Sequence, residues 1–247
     1  MKSICYDVHH AIARRWFLAA LIATTVALYL SVGQATYGLI GYLESYELFE
    51  ENSFGYSMTD MLTMGMKGDF GLLTLPALSA LPFAAQALHE IKSGAIRPAV
   101  FRTGRKNWII GKVAGCVISG MLLQGAAVGL LFLILNGLTV AMIRQGFPWG
   151  EGGDFWPMLL RRMLCGGIWA GVGCVIALAT ETASAAYLSP LCLCYALMMI
   201  GTHFFPDAAM LNPMQWMSGA TWFLVLLLVV TIAIQVLSLK RGVQRYA

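Results

Sequence analysis

The sequence predicts an all-α integral membrane protein with six transmembrane helices. Of the 247 residues, 59% are hydrophobic and only 11% are charged, whereas a soluble domain carries about 25% charged residues. The hydrophobic residues also form runs that can cross a bilayer, which needs about 20 mostly apolar residues per helix. We expect a single transmembrane domain over residues 1–247, because no linker, repeat or low-complexity tract divides the chain.

The N-terminal segment predicts an amphipathic helix that lies in the membrane interface. Between Ser3 and Arg15, apolar residues recur every four positions and share one helical face: Ile4, Val8 and Ile12. A solvated charged tail is the alternative. The first span follows over about 16–37, and two arginines precede it as in a signal peptide. Its apolar core is long for a cleaved signal, so we expect an uncleaved signal anchor.

Five further spans are expected from the apolar runs that follow. They cover about residues 71–88, 108–136, 163–180, 186–204 and 219–239. Pro76 and Pro82 predict a kink in the second span, with the freed carbonyls satisfied by neighbouring groups. The third apolar run continues to Ile143, beyond the length of a bilayer core, and we favour one long helix over a helix with a re-entrant piece.

The distribution of basic residues predicts the orientation in the bacterial cytoplasmic membrane. Lys and Arg are retained on the cytoplasmic side, and the loop 89–112 holds six of them against one acid, Glu90. With both termini also cytoplasmic, 12 of the 16 basic residues lie on that side. Five spans are the alternative. Arg161 and Arg162 fall on the outer side, where we expect Glu151 or Asp154 to neutralise them.

The motifs of several enzyme classes are incomplete. Gly111-Lys112 looks like the end of a phosphate-binding loop, but the earlier glycine position is Lys106. His89-Glu90 looks like the start of a zinc helix, but the second histidine position is Ser93. There is no serine nucleophile elbow, and we interpret the six cysteines as packing residues. We therefore predict no catalytic and no metal-binding residue in this chain, and no nucleic-acid partner.

Polar residues inside the spans are candidates for a translocation path, since they are costly in a bilayer and often functional. The candidates are Gln34, Gln86, Gln124 and Asn136. The alternative is interhelical hydrogen bonding, worth about 0.6 kcal/mol each. No full charge is predicted in mid-span, which argues against a pump with an acidic proton relay. Glycine pairs such as Gly167/Gly171 allow close helix packing, within one subunit or between two.

The layout resembles the membrane subunits of type-2 ABC transporters, which are six-span permeases with separate ATPase partners. Shared features are the N-terminal amphipathic helix, a long outer segment before span two, a cytoplasmic loop after it, and an outer segment with Phe205-Pro206 and Leu211-Asn212-Pro213. The loop matches most closely, with an acid that ends span two, a glycine, basic residues and a Gly-Lys pair that opens span three. Here these are Glu90, Gly94, Arg97, Arg102, Arg105 and Gly111-Lys112.

The resemblance implies the permease subunit of an ATP-driven exporter. Two permeases, identical or paralogous, would pair with two ATPase subunits that bind ATP and Mg, while this chain holds no cofactor. Residues from Glu90 to Arg105 would form a coupling helix that docks in an ATPase cleft, with charge-assisted contacts from its arginines. Lys112 would anchor span three by snorkelling. The alternative for these residues is topology control by lipid headgroups.

The short chain is similar to permeases that export amphipathic peptides or protect against them, including bacteriocin-type systems. We therefore expect efflux of a hydrophobic or amphipathic cargo, such as an antimicrobial peptide or a drug-like molecule. Two alternatives stay open: a non-transporting membrane factor for assembly or immunity, and a membrane-embedded enzyme.

Overall fold

The computed structural model describes residues 15–45, 57–143, 150, 153–206 and 208–246, together with His9 and Ile12. Throughout these ranges the chain forms helices and turns and no strand. The α-helices are α1 (Arg15–Ser45), α2 (Met58–Lys67), α3 (Asp69–Ala80), α4 (Gln86–Lys92), α5 (Ile96–Thr103), α6 (Arg105–Ile143), α7 (Phe155–Thr180), α8 (Ala183–His203) and α9 (Thr221–Tyr246). Two short 3-10 helices, Ala209–Leu211 and Pro213–Met217, join α8 to α9.

Five helices in the described part are long and apolar enough to cross a membrane. The candidate spans are Arg15–Gly33, Arg105–Gly137, Phe155–Thr180, Ala183–His203 and Thr221–Gln244. The predicted all-α, multi-pass membrane character is therefore confirmed. The third apolar run forms one unbroken helix of 39 residues, as its length predicts. The predicted N-terminal amphipathic helix lies outside the described residues, apart from the helical positions His9 and Ile12.

The predicted second span, residues 71–88, is divided between two helices. α3 ends at Ala80 after 12 residues, a turn covers 81–85, and α4 adds seven residues. Pro82 accounts for the break, because it has no N–H to donate to the carbonyl of Leu78. The N–H of Leu81 donates to that carbonyl instead, at 3.3 Å. The carbonyl that the proline leaves free is thus satisfied locally, as a proline in an apolar segment requires.

A short hairpin of α2 and α3 packs on α1 at the end of the bundle opposite α5. Only Gly68 separates the two helices. A Cβ atom at Gly68 would lie 2.5 Å from Cβ of Ser31, so the close approach requires glycine. The hydroxyl of Ser31 also accepts a hydrogen bond from the N–H of Gly71 at 2.8 Å. These contacts bring the start of α3 into the interior of the bundle.

The capping box of α2 begins that hairpin. The hydroxyl of Ser57 accepts a hydrogen bond from the N–H of Asp60 at 3.2 Å, and a carboxylate oxygen of Asp60 accepts one from the N–H of Ser57 at 3.0 Å. The same oxygen accepts the Ser57 O–H at 2.6 Å. These bonds favour the ionised carboxylate and lower the pKa of Asp60 below its ordinary value.

The central helix is α7, which packs against α6, α9, α8 and α3. Its crossing with α6 depends on two glycines: a Cβ on Gly120 would lie 2.5 Å from the carbonyl oxygen of Gly166, and a Cβ on Gly166 equally close to that of Gly120. The predicted pair Gly167/Gly171 also packs within the subunit, because Gly167 faces Met121 of α6 and Gly171 faces Thr231 of α9. In these glycines, small size therefore serves packing inside the chain.

Two hydrophobic clusters define the ends of the bundle. One joins α1 and α2 to α6 and α7, with Leu28, Leu62 and Leu131 fully buried. The other joins α4, α5, α6, α7 and α9, with Ile96 and Leu239 fully buried. We call this second region the loop end of the bundle. In this cluster, Ile96 packs the short helix α5 against the transmembrane helices.

Candidate functional site

The basic loop forms a helix held between two glycine turns. α5 has eight residues, and glycines with positive φ flank it: Gly94 at +74° and Gly104 at +79°. Residues with a Cβ rarely adopt this conformation. A Cβ atom added at either glycine would have no other atom within 4 Å. The backbone angle, and not a lack of space, therefore requires glycine at both positions. The predicted Gly94 is thus a turn that sets the direction of α5.

An internal network around Glu90 joins the helices on either side of α5. The Nζ atom of Lys112 lies 2.7 Å from Oε1 of Glu90. The side-chain amide of Gln86 donates to the same oxygen at 2.8 Å, and the indole N–H of Trp108 donates to Oε2 at 3.2 Å. One carboxylate therefore receives three donors, two of them from α6 and one from its own helix, α4. Such charge-assisted hydrogen bonds fix the two helices relative to each other.

The prediction that Lys112 snorkels to the interface is wrong. Its side chain is 5% exposed and Glu90 is 19% exposed, so the pair lies mainly inside the bundle. The ammonium group also lies 5.5 Å from the centroid of the Phe83 ring, close enough for a cation–π contact. The carboxylate and the aromatic face satisfy the charge locally, which removes the reason to extend toward the headgroups. Glu90 and Lys112 therefore hold α4 and α6 together inside the bundle.

The outward face of α5 carries basic and aromatic side chains. Arg97 and Arg102 are exposed. Between them, Phe101 is 93% exposed, and it lies four residues after Arg97 on the same helical face. Sequence reasoning missed Phe101, although it is the one aromatic residue of 96–103 and is followed directly by Arg102. An exposed aromatic flanked by arginines is a typical composition of a protein-binding hot spot.

Arg105 has a different position from the other predicted contacts. Its side chain is exposed, and its guanidinium donates to the backbone carbonyl of Lys240 at 3.1 Å. This bond ties the first turn of α6 to the last part of α9. Arg105 therefore joins the loop to the C-terminal helix, while Arg97 and Arg102 face outward.

The predicted translocation residues are not gathered along one surface. Gln86 belongs to the Glu90 network, and Gln124 is fully buried between helices of the same chain. Asn136 is half-buried, about 18 Å further along α6 than Gln124. The side chain of Gln34 lies outside the described residues. Gln124 therefore lies in the interior of this chain and is not exposed on its surface.

A second polar network, centred on Arg162, lies in the interior. Helix α7 begins at Phe155, earlier than the predicted start at residue 163, and Arg162 is 0% exposed within it. Its guanidinium donates to three neutral acceptors: Oε1 of Gln124 at 3.1 Å, the carbonyl of Met66 at 3.1 Å and the carbonyl of Gly71 at 3.0 Å. The amide of Gln124 donates in turn to the hydroxyl of Ser79 at 2.8 Å.

These contacts bear on two predictions. Arg162 is the eighth residue of the 26-residue α7, so its charge is buried in the bundle near one end of the helix and the prediction of no full charge in mid-span is not contradicted. A planar guanidinium can distribute its charge over several carbonyl oxygens. The hydrogen bonds that the structure describes for Arg161 and Arg162 also go to neutral groups, and for Arg161 these are the carbonyl of Met217 at 2.8 Å and the hydroxyl of Thr221 at 3.2 Å. Asp154 is no partner in these bonds, and Glu151 lies outside the described residues.

Within the described ranges, no group of three or more His, Cys, Asp or Glu side chains is placed to hold a metal ion. Comparisons with models of known protein families, with curated proteins and with solved structures found no match for this chain. Its function is therefore inferred from its own residues, and the two features to explain are the exposed face of α5 and the internal network behind it.

Proposed function

We propose that this chain is the membrane-spanning permease subunit of an ATP-driven exporter, with ATP and Mg bound by a separate ATPase. The observation that carries the proposal is α5, in which Phe101 lies between Arg97 and Arg102 and is not covered by the rest of the chain. An acidic cleft with an apolar pocket would cover the phenyl ring and bind the flanking arginines. The ATPase would receive this face of α5.

The Glu90 network supports a mechanical role for that contact. α5 is linked to α4 by the Gly94 turn and to α6 by the Gly104 turn. The ion pair of Glu90 with Lys112 then holds α4 and α6 together behind it. A displacement of α5 on closure of the ATPase would therefore move two membrane helices as one unit, provided that the docked contacts differ between ATPase states.

We infer that α3, the turn at 81–85 and α4 together form a sixth crossing. Helices interrupted at a proline occur in membranes where neighbouring groups satisfy the freed backbone, as the Leu81 N–H does here. Six crossings would leave both termini on the side of the basic loop, which the positive-inside rule assigns to the cytoplasm. The chain would act in a bacterial cytoplasmic membrane as a dimer with an identical or paralogous permease.

A hydrophobic or amphipathic cargo, such as a peptide or a drug-like molecule, fits the apolar character of the bundle. The charges described in the interior are already engaged, because Arg162 and Lys112 bind neighbouring groups. Buried charges that already have internal partners are not free to bind an ionic substrate. We propose transport out of the cell because the loop resembles that of type-2 ABC permeases and the short chain is similar to permeases that export amphipathic peptides.

Purification of the tagged chain with its native neighbours tests the proposal directly. We expect a stoichiometric ATPase with Walker motifs by mass spectrometry, and about a tenfold lower yield of that ATPase with Phe101→Ala plus Arg102→Ala. Phe204→Ala is the matched control. Phe204 is also exposed, but it directly follows the last residue of α8, whereas the loop end of the bundle lies at the first residue of that helix. A folded chain that purifies without any ATPase would favour the assembly or immunity factor instead.

A further inference from the structure

A small cavity lies in the half of the bundle opposite the loop end. Its volume is about 20 Å³, and it is enclosed by α3, α7, α8 and the second 3-10 helix, Pro213–Met217. Five of the eleven described residues that line it carry sulfur: Cys165, Cys194, Met198, Met214 and Met217. The whole chain has 14 methionines and 6 cysteines among 247 residues, so sulfur side chains are concentrated around this space.

The spacing of these residues places them on the same side of each element. Cys194 and Met198 are four positions apart on α8 and therefore share a helical face. Met214 and Met217 are three positions apart on the 3-10 helix, where side chains at that spacing eclipse each other. Cys165 comes from α7 and belongs to the same buried cluster as Cys194 and Met217. Two thiols and three thioethers from three elements thus line one space.

The lining residues lie at two depths. Cys165 and Cys194 are 1% and 7% exposed, and Met217 is 3% exposed. Met198 and Met214 are half-buried. The two half-buried methionines therefore connect the surface of the bundle to the thiols, and a small ion that enters from the surface meets thioether sulfur first.

The size and the chemistry of the cavity restrict what it can hold. Pockets for organic ligands measure about 300–1,000 Å³, whereas a space of about 20 Å³ has room for one particle the size of a water molecule. A buried water needs about two to four polar partners, and thiols and thioethers are weak hydrogen-bonding groups. The same sulfur groups are preferred ligands of soft metal ions.

We propose that this cavity binds one soft monovalent metal ion, copper(I). Thiolate and thioether ligands select Cu(I), whereas zinc sites use Cys, His, Asp and Glu, of which the lining has two cysteines. Binding replaces the proton of one thiol: Cu⁺ and Cys–SH give Cys–S–Cu and H⁺, and the proton passes to solvent. The product is neutral, as an apolar interior requires. The second thiol and the thioethers complete the coordination as neutral ligands.

This site has no motif in the sequence, because Cys165 and Cys194 are 29 positions apart and no C-x-x-C pair occurs. From the sequence, both cysteines are predicted to be packing residues, and the proposal adds a ligand role to that one. It requires neither the ATPase nor a second subunit. A failure of the proposed transport function would therefore leave the metal site standing, and the reverse is also true.

Native mass spectrometry of the full chain with silver(I), a soft monovalent ion, tests the proposal. The reference chain carries Cys192→Ser, because Cys192 is exposed, and Cys5→Ser, because Cys5 lies outside the described residues. It is incubated with Ag⁺ and then exchanged into metal-free buffer. We expect one retained Ag⁺ per chain, one Cu⁺ under a reducing agent, and no retained Zn²⁺ after the same exchange.

The methionines provide the variant with the best matched control. Met214→Leu with Met217→Leu removes two thioethers at nearly constant volume, and it should weaken Ag⁺ binding about tenfold. Met199→Leu with Met210→Leu is the control, since both side chains are exposed and neither lines the cavity, and it should bind as the reference chain does. Thermal unfolding gives a second measurement, because an ion that binds the folded state raises the midpoint. Ag⁺ should raise it in the reference chain and in the control.

The cysteine variants locate the ion. Cys165→Ser with Cys194→Ser should abolish the retention of Ag⁺. Cys165→Ala with Cys194→Ala should do the same with side chains that suit an apolar site, so a folding defect of the serine variant cannot decide the result. Size-exclusion chromatography verifies that the compared proteins are folded.

Three outcomes would overturn the proposal. The first is a reference chain that retains no Ag⁺, or that retains Zn²⁺ equally well. The second is an equal loss of binding in the methionine control. The third is retention that survives the changes at Cys165 and Cys194 but is lost in Cys116→Ser with Cys174→Ser, which would assign the ion to the other buried thiols on α6 and α7.

Discussion

The Nε atom of Arg162 lies 3.1 Å from Oε1 of Gln124, and this contact places a full positive charge inside the helical bundle. The other nitrogens of the guanidinium reach Met66 and Gly71, the residues on either side of the α2–α3 junction. One side chain of α7 therefore fastens α6 and the hairpin in a single network. Gln124 links that network to Ser79 on α3, which explains why both polar side chains are fully buried.

We expect Arg162→Met to lower the free energy of unfolding by about 3 kcal/mol or more, because three buried acceptors lose their donor. Arg161→Met is the matched control and should have a smaller effect, since Arg161 is only partly buried. The measurement is thermal unfolding in detergent. Arg162→Lys should recover part of the loss, as an ammonium cannot reproduce the guanidinium geometry. Equal effects at the two positions would show that the network contributes little.

Removing only Glu90 from its ion pair with Lys112 should lower the free energy of unfolding more than removing both charges. Glu90→Ala leaves the Lys112 ammonium without its anion in a nearly buried site, and we expect a loss of about 3–5 kcal/mol. Glu90→Ala combined with Lys112→Met removes the isolated charge, so the double variant should be more stable than Glu90→Ala alone. A double-mutant cycle of unfolding free energies measures the coupling. Additive losses would contradict an interaction of the two side chains.

Gly120→Ala should destabilise the crossing of α6 and α7. The added Cβ would lie 2.5 Å from the carbonyl oxygen of Gly166, and overpacking of this kind costs about 1–3 kcal/mol. Gly129→Ala on the same helix is the control, because a Cβ atom added at Gly129 would have no other atom within 4 Å. That variant should be neutral or slightly stabilising, since alanine favours a helix. Thermal unfolding of the two variants separates the effect of steric crowding at the helix crossing from the effect of helix propensity.

The capping box of α2 predicts an acid-sensitive helix end. The bonds to Ser57 lower the pKa of Asp60 in the folded protein, so its contribution to stability is complete above the unfolded-state pKa of about 3.9. It is lost as the pH falls through the lower, folded-state value. Hydrogen exchange in α2 should therefore accelerate below about pH 4 in the wild type. Asp60→Asn should remove this pH dependence, and a wild-type response in that variant would rule out Asp60 as its source.

Local patterns in the sequence account for the class of the protein and much of its loop. The length and composition of the apolar runs predict helices that can cross a membrane, and five such helices are present in the described part. The sequence also singled out Gly94, which has a positive φ, and Arg97 and Arg102, which are exposed, while their role in coupling to an ATPase stays a prediction. These features depend on neighbouring residues: a run of apolar side chains, or a glycine between two polar segments.

Only the tertiary structure decided which polar side chains meet. Glu90 and Lys112 are 22 positions apart, Arg162 and Gln124 are 38 apart, and Arg162 and Gly71 are 91 apart. Each pair became visible when helices that are distant in sequence packed together. The sequence by itself determined that these helices are apolar and where charges occur along them. Packing decided whether a given charge is buried with partners or left in solvent, because that depends on the neighbouring helices and on the distances between their atoms.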